Sequence, residues 1–319
     1  MFSLSKEISP AGEYLIARNE NTGEYFSVYP QYGGNLNELS LSSGDAAHAL
    51  LRGYDDANGF RSDNRFRGIV MLPFPNRVRD GRYEFGGVRY QLPINEPELH
   101  HALHGFFRDR SLRHARTEML DDRISITLEH RYEGDLAGYP FPFQTEIRYS
   151  LHRTDGFACC TSITNQHSSE IPIGTGWHPY FRLGDQLDDL SLQLPSCKKI
   201  LLGDRMIPSG EKLALSDRDT SISLKEIFLD AIFEIDASDG IATTSLRNHK
   251  EQLELCVWQE TGFRKYNFIT IYIPPSRDSI AIEPCSSNID AFNNGDGLIV
   301  LSPNESISVS FGVKLLSTS

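Results

Sequence analysis

Short runs in which apolar and polar residues alternate recur from the first third of the chain to its last residues, and this period of two constrains the fold more than any other feature. ISITLEHRY at 124–132, FQTEIRYSL at 143–151, LELCVW at 253–258, FITIYI at 268–273 and SISVSFGVKLL at 306–316 each send every second side chain to one face. Gly, Pro, Asn and Asp punctuate these runs at irregular intervals, as strands joined by turns require. In YEFGGVRYQL at 83–92, Tyr83 and Phe85, then Val88, Tyr90 and Leu92, flank Gly86-Gly87. Two glycines supply the positive φ that a primed two-residue hairpin turn needs. Helix patterning is confined to AAHALLRGY (46–54) and LKEIFLDAIFEI (224–235), and the second fits a bent strand equally well. The expectation is an all-β fold, a sandwich or barrel. No repeat, low-complexity tract or linker divides the 319 residues, so a single domain over 1–319 is expected.

Composition narrows the function classes. A formal net charge of −12 opposes binding to a phosphate backbone, because such affinity comes from basic side chains. Cys159, Cys160, Cys197, Cys256 and Cys285 are scattered without a C-x-x-C pair, which fits reduced thiols. The first residues carry neither a basic leader nor an apolar run, and no 18-residue apolar stretch occurs. These features predict a soluble cytoplasmic protein, monomer or homodimer, with no nucleic-acid or membrane partner.

Several standard catalytic signatures are missing: there is no G-x-S-x-G, no H-E-x-x-H, and the GTG at 174–176 lacks the third glycine of a dinucleotide site. HHALH at 100–104 has ligand-like spacing, but a zinc site needs a third and usually a fourth ligand, and no second cluster provides them. His100 and His101 read as a polar loop. His104, between Leu103 and Gly105, reads as part of a chain packed closely against something. In GTGWHPYFRL at 174–183, His178 stands alone among aromatic residues, where a packing role and a catalytic one are both open. In DSIAIEPC at 278–285, parity sends Ile280 and Ile282 one way and Ser279, Ala281 and Glu283 the other. Glu283 then ends an apolar strand with only small neighbours on its face, free either to meet a ligand as a partly desolvated base or to cap the following turn. Asn76 and Arg77 follow a rigid Pro-x-Pro stretch, and arginine offers a planar fork of donors for oxygens. Asp230 interrupts the apolar FLDAIF, which requires a partner, a ligand or an exposed position.

Taken in order, PNRVRDGRYEFGGVRYQLPIN, LHGF, GTGWHPYF, LDAIF and IEPCSSNIDAFNNGDGLIVLSPNES resemble the aldose 1-epimerases, also called galactose mutarotases, over residues 70–305. The resemblance implies a large antiparallel β-sandwich with a sugar cleft, a monosaccharide substrate, and neither metal nor organic cofactor. It implies that Glu283 is the general base, His178 the general acid and His104 a second histidine that positions the sugar. It further implies that Arg77 and Asp230 bind hydroxyls and that Asn76 shapes the site. Trp177 and Tyr180 are expected either as walls of the sugar site or as core aromatics. The α- and β-anomers would interconvert as one group takes the C1 hydroxyl proton and the other supplies a proton to the ring oxygen. An imidazolium, with a reference pKa of about 6.5, is the expected donor. Phe106 stands where many members carry a second glycine and is expected either to narrow the sugar site or to change its preferred hydroxyl pattern, and Pro179 departs from the serine of well-known members. Two alternatives stay open: a hexose-6-phosphate 1-epimerase using Arg61, Arg65 and Arg67, and a carbohydrate-binding sandwich without catalysis.

Overall fold

The computed structural model describes every residue except Asp45, Ala237 and Ser319. Alternation becomes two large antiparallel sheets packed face to face. The larger has nine strands; four of the expected runs lie at its centre as Arg123–Tyr132, Phe143–His152, Ser306–Ser317 and Leu253–Thr261, and Gly156–Asn165, which is not among them, joins Phe143–His152 to Ser306–Ser317. The facing eight-stranded sheet contains Asp230–Ile235, Phe268–Tyr272 and Ile280–Cys285, side by side, with the short strand Gly176–Trp177 beyond them. A five-stranded sheet built from the first 49 residues, Phe2–Ser9 to Ala46–Ala49, completes the β-sandwich.

One apolar cluster fills the space between the large sheets. Ile147, Tyr149, Phe157 and Phe311 from one side meet Trp177, Phe181, Ile271 and Ile282 from the other. Because side chains alternate, the opposite face of the eight-stranded sheet carries a second set: Asp230 and Ile232, Thr270 and Tyr272, Glu283 and Cys285. The register aligns Thr270 with Glu283 and Asp230 with Tyr272. Ile232, Phe268 and Cys285 lie under Phe66, Ile69 and Met71 as a smaller apolar cluster. The polar members of this face remain for the cleft.

The hairpin forms as expected, with Arg82–Phe85 paired to Val88–Gln91 and positive φ at both Gly86 and Gly87. The expected helix at 46–54 is corrected: Ala46–Ala49 is a strand paired to Asn35–Ser43, and Leu51 bridges Phe181. Leu50 N donates to Leu39 O and Arg52 N to Tyr180 O, so cross-chain partners override a weak local helix preference. The 224–235 segment resolves as a turn followed by the strand Asp230–Ile235. Helix instead forms at Ala57–Ser62, capped by Asp56 Oδ1 accepting from Gly59 N at 2.9 Å, and at Ala291–Asn294. All five cysteines are free.

Candidate active site

On the outer polar face of the eight-stranded sheet lies a cleft enclosing about 600 Å³, its open mouth included. Asn76, Arg77, His104, His178, Asp230 and Glu283 all line it, so the structure brings every candidate site residue to one place. They arrive from five stretches of chain. Ile280–Cys285 presents Glu283 on the face its parity predicts, with Ile280 and Ile282 turned into the core. His178 follows the strand Gly176–Trp177 and is pinned by its own backbone, N donating to Ile69 O at 3.0 Å and O accepting from Gly68 N at 2.8 Å. Its Nε2 stands 3.5 Å from Glu283 Oε1. Glu283 Oε2 is buried and has no hydrogen-bond partner among the described residues, so the carboxyl does not cap the turn that follows.

Asn76 and His104 form a reciprocal pair, both with positive φ. Asn76 N donates to His104 Nδ1 at 3.1 Å, and His104 N donates to Asn76 O at 2.9 Å. Accepting at Nδ1 fixes the neutral imidazole with its proton on Nε2. Gly105, at φ 67°, explains the close packing expected around His104: a Cβ there would lie 1.9 Å from Leu72 O. The His104 and His178 rings meet edge to face at 4.9 Å, and Tyr180 stacks nearly parallel on His178 at 5.1 Å.

Burial governs the electrostatics. Glu283 is 1% exposed, and desolvation pushes its carboxyl well above the usual carboxylate range, with Asp230 adding to the rise and Arg77 opposing it. Desolvation lowers His178 to about 3 and holds His104 well below an ordinary histidine. The expectation of an imidazolium at neutral pH is therefore corrected: burial drives His178 toward its neutral form and Glu283 toward its protonated one. Asp230 is open to water at the mouth, and partial desolvation raises its carboxyl, opposed by Arg77 and assisted by Glu96.

Other expectations are redistributed. Trp177 is fully buried in the core, stacked on Phe311 at 4.5 Å, whereas Tyr180 lines the cleft. Phe106 does not line the cleft; it packs on Tyr132 and Tyr139. The three arginines of the phosphate alternative do not converge. Arg65 lines the cleft, Arg67 is buried over the rings of Tyr54 and Tyr180, and Arg61 lies toward Tyr32. The three histidines of HHALH also separate: His101 is buried with Nε2 at 3.0 Å from Arg205 O, not in a polar loop, while exposed His100 faces Asp80. Among the described residues no group of three His, Cys, Asp or Glu side chains is placed to hold a metal, and no helix is long and apolar enough to cross a membrane.

Sequence reasoning missed Glu96, Thr270 and Tyr272, which also line the cleft. Thr270 and Tyr272 fall on alternate positions of an expected strand, but only the register with Glu283 and Asp230 shows which face they share. Glu96, in the loop PINEPEL, follows no periodic pattern and had no signal.

The outer face of the β-sandwich thus gathers a buried carboxyl, two desolvated imidazoles and an arginine around one polar cleft. The aldose 1-epimerase family model matches residues 19–314, and the chain belongs to that family. It is 26% identical over 248 residues to the uncharacterised protein YihR of Escherichia coli K12, covering 73% of this chain and 74% of that one. It is 26% identical over 209 residues to the galactose mutarotase of Mus musculus, covering 63% of this chain and 58% of that protein. A galactose mutarotase-like protein from Clostridium acetobutylicum shares the fold with a TM-score of 0.87 at 20% identity, over 99% of both chains.

Proposed function

We propose that residues 1–319 act as one mutarotase-like domain that interconverts the α- and β-anomers of a free hexose, without a metal or organic cofactor. The observation that carries this reading is the 3.5 Å approach of His178 Nε2 to Glu283 Oε1 inside a cleft large enough for a sugar ring. That spacing is long for a charge-assisted hydrogen bond, and it suits a pair of oxygens attached to one carbon. In an aldose, the C1 hydroxyl and the ring oxygen are such a pair.

The two groups share one proton between them. Burial by the protein alone favours neutral His178 and protonated Glu283. Hydroxyls of a bound sugar that donate to Glu283 stabilise its carboxylate, which moves the proton to His178. Glu283 then takes the C1 hydroxyl proton while His178 gives its proton to the ring oxygen, and the C1–O bond of the ring opens. Rotation about C1–C2 presents the other face of the aldehyde, and the transfers reverse to close the second anomer. His104, Arg77 and Asp230 hold the remaining hydroxyls so that the open chain stays bound, and Asn76 keeps His104 in place.

Polarimetry on fresh α-glucose and α-galactose tests the reading. Glu283→Gln should retain the fold and lose catalysed mutarotation by on the order of 10²–10⁴-fold. Near-native rates in that variant would remove Glu283 from the mechanism.

A further inference from the structure

Arg77 enters the cleft already engaged. Its Nε donates to both carboxylate oxygens of Glu96, at 2.9 and 3.2 Å, and its Nη2 donates to Oε1 at 2.8 Å. The two side chains are only 11% and 14% exposed, so this is not the solvated kind of ion pair that contributes little. The backbone builds the pairing. The strand His101–Leu103 aligns Leu103 with Arg77 along one edge. Along its other edge, Glu96 exchanges both backbone hydrogen bonds with His101, and the Asn95 side chain bridges Leu103 N and O at 2.7 and 2.9 Å. One short strand therefore fixes an arginine and a carboxylate face to face.

The second guanidinium of the cleft is held in the same way, since Arg65 Nε donates to both oxygens of Asp63 at 3.0 and 3.1 Å. Each cleft arginine thus has its charge offset by a carboxylate, and Asp230 adds a further acidic group at the mouth. With Nε and one Nη2 hydrogen committed to Glu96, and one Nη1 hydrogen reaching Asn76 Oδ1 at 3.5 Å, Arg77 keeps one donor each at Nη1 and Nη2, an edge sized for two neighbouring oxygens. Neutral hydroxyls can accept from that edge with Glu96 in place. A carboxylate or phosphate on the sugar would meet the Glu96 charge and would have to displace it.

From this geometry we infer that Glu96 is a specificity-determining residue, a latch that neutralises Arg77 and restricts the site to uncharged aldoses. The assignment rests on the sugar-epimerase reading above and adds the residue that sets the charge preference of that site. It also separates this chain from the hexose-6-phosphate alternative.

The test compares glucose with glucuronate, which differ by a carboxylate in place of the terminal hydroxymethyl group. Polarimetric kcat/KM for wild type should favour glucose. Glu96→Gln, which keeps the shape and an acceptor oxygen but removes the charge, should shift the glucuronate-to-glucose ratio upward by about tenfold or more, the scale of one partly screened charge. Glu96→Asp should restore the wild-type preference. A loss of site order alone would lower both rates and leave their ratio in place, and an unchanged ratio in folded, active Glu96→Gln overturns the assignment. Calorimetric Kd values for both sugars on wild type require no variant: glucuronate binding as tightly as glucose, or tighter, also overturns it. If wild type accelerates no aldose, the functional reading fails separately, and the Kd ratio in wild type and Glu96→Gln still decides the latch by the same shift.

Discussion

Replacing His178 by asparagine should flatten the acid side of the protein's stability curve, and the size of that effect follows from burial. The imidazole is 5% exposed, and its pKa is lowered from 6.5 to about 3 in the folded state. A histidine with a depressed folded pKa contributes stability that is present above its unfolded pKa and lost as pH falls, because the unfolded chain takes up a proton that the folded chain refuses. Between pH 7.5 and 5.0 the unfolded imidazole titrates almost completely, while the folded one stays neutral. At about 1.4 kcal/mol per pH unit, the roughly 1.5 units between 6.5 and 5.0 remove about 2 kcal/mol. Any folded value below about 4 gives the same figure, so it does not depend on the exact depth of the shift. Urea unfolding followed by fluorescence of the buried Trp177 at the two pH values measures it. Wild type should lose about 2 kcal/mol more than His178→Asn over this interval, because the other titrating groups are common to both proteins. Equal pH dependence in the two proteins, with unchanged m values, would refute the placement of a neutral, desolvated imidazole at this site.

Three further outcomes follow from the same geometry. Gly105→Ala puts a Cβ 1.9 Å from Leu72 O at a left-handed residue; beyond the ~1–2 kcal/mol of that conformation it must push His104 aside, so thermal stability and polarimetric rate should both fall, and a variant with native values of both would contradict the packing described. The pH profile of kcat/KM should stay level from pH 7 down to 5, since the pair keeps its single proton until His178 titrates at about 3; an acid limb centred near the ordinary histidine value of ~6.5 would show a solvated imidazole instead. Asn76→Ala removes the Oδ1 that accepts from Arg77 N at 3.0 Å and a residue type suited to positive φ, and KM for the sugar should rise several-fold in steady-state polarimetry while kcat changes less.

How much of this was legible beforehand depended on whether a residue's role is set by its own strand or by a distant one. Glu283 was legible because parity within a single strand decides its face, and Ile280 and Ile282 announce the other. The hairpin at Gly86-Gly87 was legible because positive φ is a local requirement. The strand at Ala46–Ala49 was not, since AAHALLRGY carries a weak helical pattern that hairpin pairing with Asn35–Ser43 overrides, and only the residues after it, Leu51 and Arg52, reach a remote partner at Tyr180–Phe181. Trp177 and Tyr180 could not be separated by composition, and the short strands on either side of Pro179 send one into the core and the other into the cleft. Phe106 invited a role because it replaces a small residue in a motif, yet its ring is claimed by Tyr132 and Tyr139, which no local pattern connects to it. Glu96 was invisible for the same reason, because its meaning comes from Arg77.

The cleft is also where this chain departs from what stability alone would select. A buried glutamic acid with an unpartnered oxygen, beside a histidine held neutral, is unfavourable in a folded core and contributes nothing to packing. The opposite face of the same three strands, with Ile271, Ile280, Ile282 and Phe233 in the main cluster, supplies the apolar burial that offsets it. Glu283→Gln makes this argument testable in one protein. A carboxyl whose folded pKa is raised loses stability as pH climbs from its unfolded value toward the folded one, because only the unfolded state then releases its proton readily. The glutamine variant has no such proton, so its advantage over wild type in urea unfolding should grow as pH rises from 5 to 8, while its mutarotase activity is lost. If the two proteins keep a constant stability difference across that range, the carboxyl at position 283 is solvated, and the tuned acid–base pair proposed for this cleft does not exist.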